Sequence, residues 1–167
     1  MKKVAVVMGS ASDLPLVEKT IGTLSEFGVP FEAHIYSAHR TPDMAAAFAK
    51  SARQNGFGVL IAAAGMAAHL AGALAANTTL PVIGIPIKAK ALEGMDALFS
   101  TVQMPSGIPV ASVAIDGAVN AALLAVEILA IEDENLAAAL EAKRRENAAE
   151  ALKKDAELIT ALGKVKL

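Results

Sequence analysis

The sequence predicts an α/β fold in three layers, with a central parallel sheet, helices on both of its faces and a long C-terminal helix. Two observations carry this. Short β-branched runs alternate with helical patterns over residues 3–130, and capping or turn residues bound most of the helical patterns. A charged, alanine-rich tail from Asn135 to Leu162 then reads as one uninterrupted helix. A length of 167 residues suits one domain, so residues 1–167 are expected to form a single unit with its core at about 3–130.

Lys3 to Met8 reads as the first strand, and Leu14 to Phe27 as a helix capped by Ser12 or Asp13. Gly28-Val29-Pro30 turns the chain into a second strand, Phe31 to Tyr36. Thr41 caps the next helix, which runs through Met44 to Ala52. Pro42 stands at its first position, where a missing N–H costs nothing. Gly56-Phe57-Gly58 reads as the break before a third strand, Val59 to Ala63. Ala67 to Ala76 looks helical, Pro81 to Ile85 is a fourth strand, and Met95 to Val102 is a short helix in a less regular stretch. Pro109 to Ile115 reads as a fifth strand and Val119 to Ala130 as a buried helix. Strands separated by helices imply right-handed crossovers, which make the sheet parallel and the arrangement flavodoxin-like.

Composition removes several function classes. The net charge is −2 and no basic block exists, so no nucleic-acid surface is expected. Cysteine is absent, which excludes disulfides and thiolate chemistry and suits a cytoplasmic protein. The apolar run after Met1-Lys2-Lys3 stops at Gly9-Ser10, too soon for a signal peptide, and no uninterrupted segment is long enough to span a bilayer. No membrane partner is expected. With 54% hydrophobic residues, either both sheet faces are covered or apolar surface lies between subunits. The tail helix, with its mixed run from Glu141 to Glu146, reads as a solvated face; the alternative is packing on a neighbouring subunit.

Chemistry concentrates in the loops. Ser37-Ala38-His39-Arg40-Thr41-Pro42 lies at the carboxyl end of the second strand, where open α/β sheets place ligands. His39 is a candidate proton shuttle near neutral pH, and Arg40 a fork for phosphate or carboxylate. Gly9-Ser10-Ala11-Ser12-Asp13 offers hydroxyls before a helix N-terminus, an anion cradle that also reads as ordinary helix capping. Ala64-Gly65-Met66-Ala67-Ala68-His69 follows the third strand, with small residues that admit a ligand close to the backbone. Taken alone, His69 in this apolar context reads as structural. Ser100 to Pro109 is a rigid Pro/Gly-bearing loop before the fifth strand, or a plain connection. No ligand spacing for a metal and no Gly-x-Ser-x-Gly elbow is present.

Together, Gly9-Ser10-x-Ser12-Asp13, Ser37-Ala38-His39-Arg40-Thr41-Pro42, Ala67-Ala68-His69-Leu70 and Val102-Gln103-Met104-Pro105-x-Gly107-Ile108-Pro109-Val110 resemble the class I 5-(carboxyamino)imidazole ribonucleotide mutases of purine biosynthesis. The resemblance covers about Val4 to Leu129. It implies a homo-octamer with sites between subunits, no cofactor, and transfer of a carboxylate from the exocyclic nitrogen to a ring carbon of one nucleotide. It implies His39 as the catalytic residue, and Ser10, Ser12, Asp13, Ser37, Arg40, Gly65, Ala67 and His69 at the substrate. The serines and Arg40 would hold the 5′-phosphate and Asp13 the ribose. The Gln103-Met104-Pro105 loop would help close a dry pocket. Ala63 and Met66 replace glycines and Ala71 a proline common in the family, and Met66 is expected to crowd the substrate loop. The competing readings are a class II enzyme, which carboxylates aminoimidazole ribonucleotide directly and lacks the Ala-Ala-His-Leu pattern, and a non-catalytic flavodoxin-like module. A receiver domain would need an aspartate where Ala62-Ala63-Ala64 stands, and a flavin site usually wants aromatic flanks.

Overall fold

The computed structural model describes residues 1–163. The chain alternates β1 (Lys3–Met8), a single 3₁₀ turn (Ala11–Asp13), α1 (Leu14–Glu26), β2 (Phe31–Ile35), α2 (Pro42–Ser51), β3 (Phe57–Gly65), α3 (Leu70–Ala75), β4 (Val82–Ile87), α4 (Met95–Val102), β5 (Ala111–Ser112), α5 (Ala118–Ala130) and α6 (Glu134–Gly163). The strands form one sheet in the order β2-β1-β3-β4-β5, and every pairing is parallel. This is the three-layer, flavodoxin-like order that the alternation predicts.

Period-two alternation divides the core between the two faces. Val4, Val6, Met8, Val59, Ile61, Ile83 and Ile85 pack under α1 and α5, together with Val17, Leu24, Ala121 and Ala125. Ala5, Val7, Leu60, Ala62 and Val82 face the other way, onto Ala45 and Ala49 of α2 and Leu70 and Leu74 of α3. Because both faces are covered, the central strands are continuously apolar rather than alternating with polar residues. Each such valine or leucine contributes roughly 1.5–3 kcal/mol relative to an exposed position. Gly84 of β4 is dictated by contact: a Cβ there would lie 2.3 Å from Thr101 Cγ2 of α4.

Several boundaries differ from expectation. β3 begins at Phe57, not Val59, because Phe57 is buried against Phe48 and lies beneath the Lys3 ammonium. Gly58 is not a turn residue; a Cβ there would approach Leu129 Cδ2 to 2.7 Å. β5 shrinks from the expected Pro109–Ile115 to Ala111–Ser112. Pro109 has no N–H to give, and beyond Ser112 only single backbone bonds, Val113 N–H to Gly84 O and Asp116 N–H to Pro86 O, follow β4. α3 starts at Leu70 rather than Ala67. α6 is the predicted tail helix. Its start is pinned by buried Leu136 and by ion pairs from Lys143 to Glu26 and Arg144 to Glu127, both 2.7 Å. Further on, Leu152, Leu158, Ile159 and Leu162 are exposed.

Candidate active site

A parallel sheet sends every strand's carboxyl end to one edge, and there the loops after β1, β2, β3 and β4 converge on a cavity of about 610 Å³. Gly9, Ser10, Ser12 and Asp13 line it from the first loop; Ser37, His39 and Arg40 come from the second, and Gly65, Met66, Ala67 and His69 from the third. His39 and the eight residues expected at the substrate therefore all line one cavity.

The second loop is closed by its own hydrogen bonds. The Ser37 N–H donates to Thr41 Oγ1 at 2.9 Å, and the Thr41 hydroxyl and N–H return to Ser37 O at 3.1 and 2.8 Å. Ser37 Oγ accepts from Arg40 N–H at 3.1 Å. Thr41 thus occupies the α2 N-cap position but spends its hydroxyl closing the loop. Arg40 reaches across to the first loop, where Nη2 donates to Gly9 O at 3.0 Å. His39 and Arg40 remain exposed.

The first loop is both a cap and a cradle. Ser10 Oγ accepts from Ser12 N–H at 3.3 Å and from the Ser12 hydroxyl at 2.9 Å, while Ser10 N–H donates to Asp13 Oδ2 at 3.0 Å. This reciprocal pair is a capping box on the 3₁₀ turn. Its hydroxyls still line the cavity. Burial raises the Asp13 carboxyl pKa above its ordinary value, against the opposing pull of Ser10 N–H, the Ser12 hydroxyl and the Arg40 charge.

The third loop brings a second imidazole. His69 precedes α3 and is exposed, with its ring stacked on His39 at 5.7 Å between centroids and 20° between planes. It does not serve the apolar core. The remaining histidine, His34 of β2, stacks on Tyr36 just after that strand and does not line the cavity. Ala68 N–H bonds Met66 O and His69 N–H bonds Ala67 O, both at 2.8 Å, so residues 66–69 form tight turns and delay the helix to Leu70. Met66 has φ +54°, a left-handed conformation uncommon outside glycine, and its side chain is 66% exposed at the cavity. Ala63 and Ala71 are buried in the core instead, so of these three residues only Met66 lies on the cavity wall.

Two findings were not anticipated. The last residue of β4, Ile87, and the loop after it, with Lys88 and Ala89, line the cavity. The rule that ligands gather at strand carboxyl ends also applies to β4 and would have found Lys88. The Gln103-Met104-Pro105 loop does not line this cavity. It leads into the amino end of β5, so Gly107, Ile108 and Pro109 border a larger cavity of about 1010 Å³ at the opposite edge, while Met104 packs at Gly72. Among the described residues, no group of three or more His, Cys, Asp or Glu side chains is placed to hold a metal ion, and no helix is long and apolar enough to cross a membrane.

Residues 3–150 match the family described as AIR carboxylase. An N5-carboxyaminoimidazole ribonucleotide mutase of Pyrococcus horikoshii is 60% identical over 129 residues, covering 77% of this chain and 73% of its own. One of Bacillus subtilis is 53% identical over 146 residues, covering 86% and 90%. The crystal structure of Treponema denticola PurE superposes with a TM-score of 0.83 at 30% identity, over 93% of this chain and 97% of the other.

Proposed function

This chain belongs to the AIR carboxylase family, and from that premise we propose that it is an N5-carboxyaminoimidazole ribonucleotide mutase of purine biosynthesis. The observation that carries this reading is His39: an exposed imidazole on a loop locked by Ser37 and Thr41, facing His69 at one wall of the cavity. The hydroxyls of Ser10, Ser12 and Ser37 and the Arg40 guanidinium recognise the 5′-phosphate, and Asp13 accepts from the ribose. Gly65 and Ala67 let the nucleotide lie close to the backbone, and His69 shapes the pocket beside His39.

His39 first protonates the carbamate nitrogen. The N–C bond breaks, leaving the amine and CO₂. The electron-rich ring carbon then attacks CO₂, and His39 removes the proton from that carbon, so the imidazole ends as it began. Protons and electrons balance within one nucleotide, and neither ATP nor an oxidant enters. Retaining the CO₂ requires a closed, dry pocket. His39, Arg40 and His69 are exposed at the cavity, which supports assembly into a homo-octamer whose neighbouring subunit covers them. The exposed apolar residues of α6, from Leu152 to Leu162, suit packing on such a neighbour. A cytoplasmic location agrees with the absence of cysteine and with a nucleotide substrate.

The test is conversion of N5-carboxyaminoimidazole ribonucleotide by the purified protein without ATP or added bicarbonate, followed by absorbance of the ring-carboxylated product. Rapid conversion is expected. Product formed only from aminoimidazole ribonucleotide at high bicarbonate would make the chain a direct carboxylase.

A further inference from the structure

We propose that Lys88 is a substrate-binding residue that grips the carboxylate of the nucleotide, and that Glu93, its ion-pair partner, competes with that carboxylate for the ammonium. The inference rests on the mutase reading. Lys88 lines the cavity from the loop after β4, whereas Arg40 lines it from the loop after β2. β1 and β3 lie between these strands. Three inter-strand steps of about 4.8 Å set the two loops about 14 Å apart at the backbone. A substrate with phosphate at one end and carboxylate at the other therefore meets a cation near each end.

The loop is built around Lys88. Its N–H donates to Asp116 Oδ1 at 2.9 Å, and the Asp116 N–H donates to Pro86 O at 2.9 Å. Its ammonium pairs with Glu93, which does not itself line the cavity. Gly94 closes the turn at a position where a Cβ would lie 3.2 Å from Lys88 Cα and 2.7 Å from Ile115 Cγ2. Glu93 and Asp116 have φ of +53° and +57°. Among the described residues, the non-glycine positions with positive φ are these two and Met66, so all three border this cavity or hold Lys88. Strained backbone collects where a ligand clamp must be held in one geometry. The hydrogen bond and charge of Glu93 raise the Lys88 pKa, which keeps it cationic.

An exposed ion pair with no ligand role stabilises little, and losing either partner then has similar consequences. A ligand role gives the two partners opposite signs. The experiment is calorimetric binding of the ring-carboxylated product nucleotide and of aminoimidazole ribonucleotide to wild-type, Lys88→Gln and Glu93→Gln proteins, each verified as folded by circular dichroism. Lys88→Gln should weaken the carboxylated nucleotide about tenfold, as expected for one charge-assisted bond, and leave aminoimidazole ribonucleotide unchanged. Glu93→Gln should tighten the carboxylated nucleotide about threefold by removing the competitor, less than one full charge-assisted bond. The assignment is overturned if Lys88→Gln weakens both nucleotides alike, if neither variant changes affinity, or if both shift it in one direction. A Glu93→Gln protein of unchanged affinity removes Glu93 from the account. If the wild-type protein turns over substrate while Lys88→Gln binds normally, this inference alone fails. If the wild type binds neither nucleotide, the mutase reading fails with it.

Discussion

The two edges of the sheet carry two cavities, and the larger one is the less chemical. At the amino edge, about 1010 Å³ is bordered by Lys50, Arg53, Gln54 and residues 75–82, and the Arg53 guanidinium is already engaged by the Thr79 carbonyl at 3.3 Å and hydroxyl at 3.1 Å. At the carboxyl edge, about 610 Å³ gathers two imidazoles, a guanidinium, an ammonium, a carboxylate and three serine hydroxyls from four separate loops. Volume therefore does not locate the chemistry here. Convergence of titratable groups does, and the direction of the strands decides which edge receives them.

Substitutions at the two edges should consequently separate cleanly. The largest effect belongs to His39→Asn, which keeps the polar shape and removes the shuttle. Turnover should fall by roughly a thousandfold or more, within the range of general acid–base catalysis, while nucleotide affinity and the melting temperature stay near wild type. Near-normal turnover would place the proton elsewhere. Arg40→Lys comes next. It replaces a fork by a point charge and loses the reach of Nη2 to Gly9 O, so KM should rise about tenfold with a smaller change in kcat. Unchanged KM would remove Arg40 from the phosphate site.

Arg53→Ala tests the other edge. Losing its bonds to Thr79 should cost about 1 kcal/mol in a denaturant melt and leave kcat/KM unchanged. A fall in kcat/KM would mean that the amino edge contributes to the reaction. The smallest effect concerns Asp13. Its folded-state pKa is raised, so the folded chain holds that proton to higher pH than the unfolded chain does. Stability should therefore decline as pH rises through the ordinary carboxylate range into the range just above it, and Asp13→Asn should flatten that decline. A wild-type curve that rises more steeply than the variant across this window would contradict the sign.

The same contrast explains what sequence reasoning could and could not reach. Strands β1 and β4 and helices α1, α4 and α5 were legible because their apolar runs and caps are local signals. His39, Arg40, Ser10 and Asp13 were legible because strand ends mark ligand edges. Gly58 misled because a glycine required by Leu129 packing looks the same in sequence as one required by a turn. β5 misled because Val110, Val113 and Ile115 show β propensity, yet an edge strand pairs only as far as its neighbour's path allows. The proximity of His69 to His39 depends on which loops the sheet order brings together, a long-range fact that no local pattern encodes. A fourth strand read as ending at Ile85 leaves Lys88 in an irregular segment; β4 runs to Ile87, so Lys88 stands directly at its carboxyl end, where the strand-end rule applies.

The most direct measurement follows the carbon itself. N5-carboxyaminoimidazole ribonucleotide labelled with ¹³C in its carboxylate is converted in unlabelled bicarbonate buffer, and the label in the product is read by mass spectrometry. A mutase that keeps its CO₂ within the carboxyl-edge site returns product carrying the substrate's label. Product whose carboxylate has the isotopic composition of the buffer would contradict internal transfer and make the protein a carboxylase working from free CO₂.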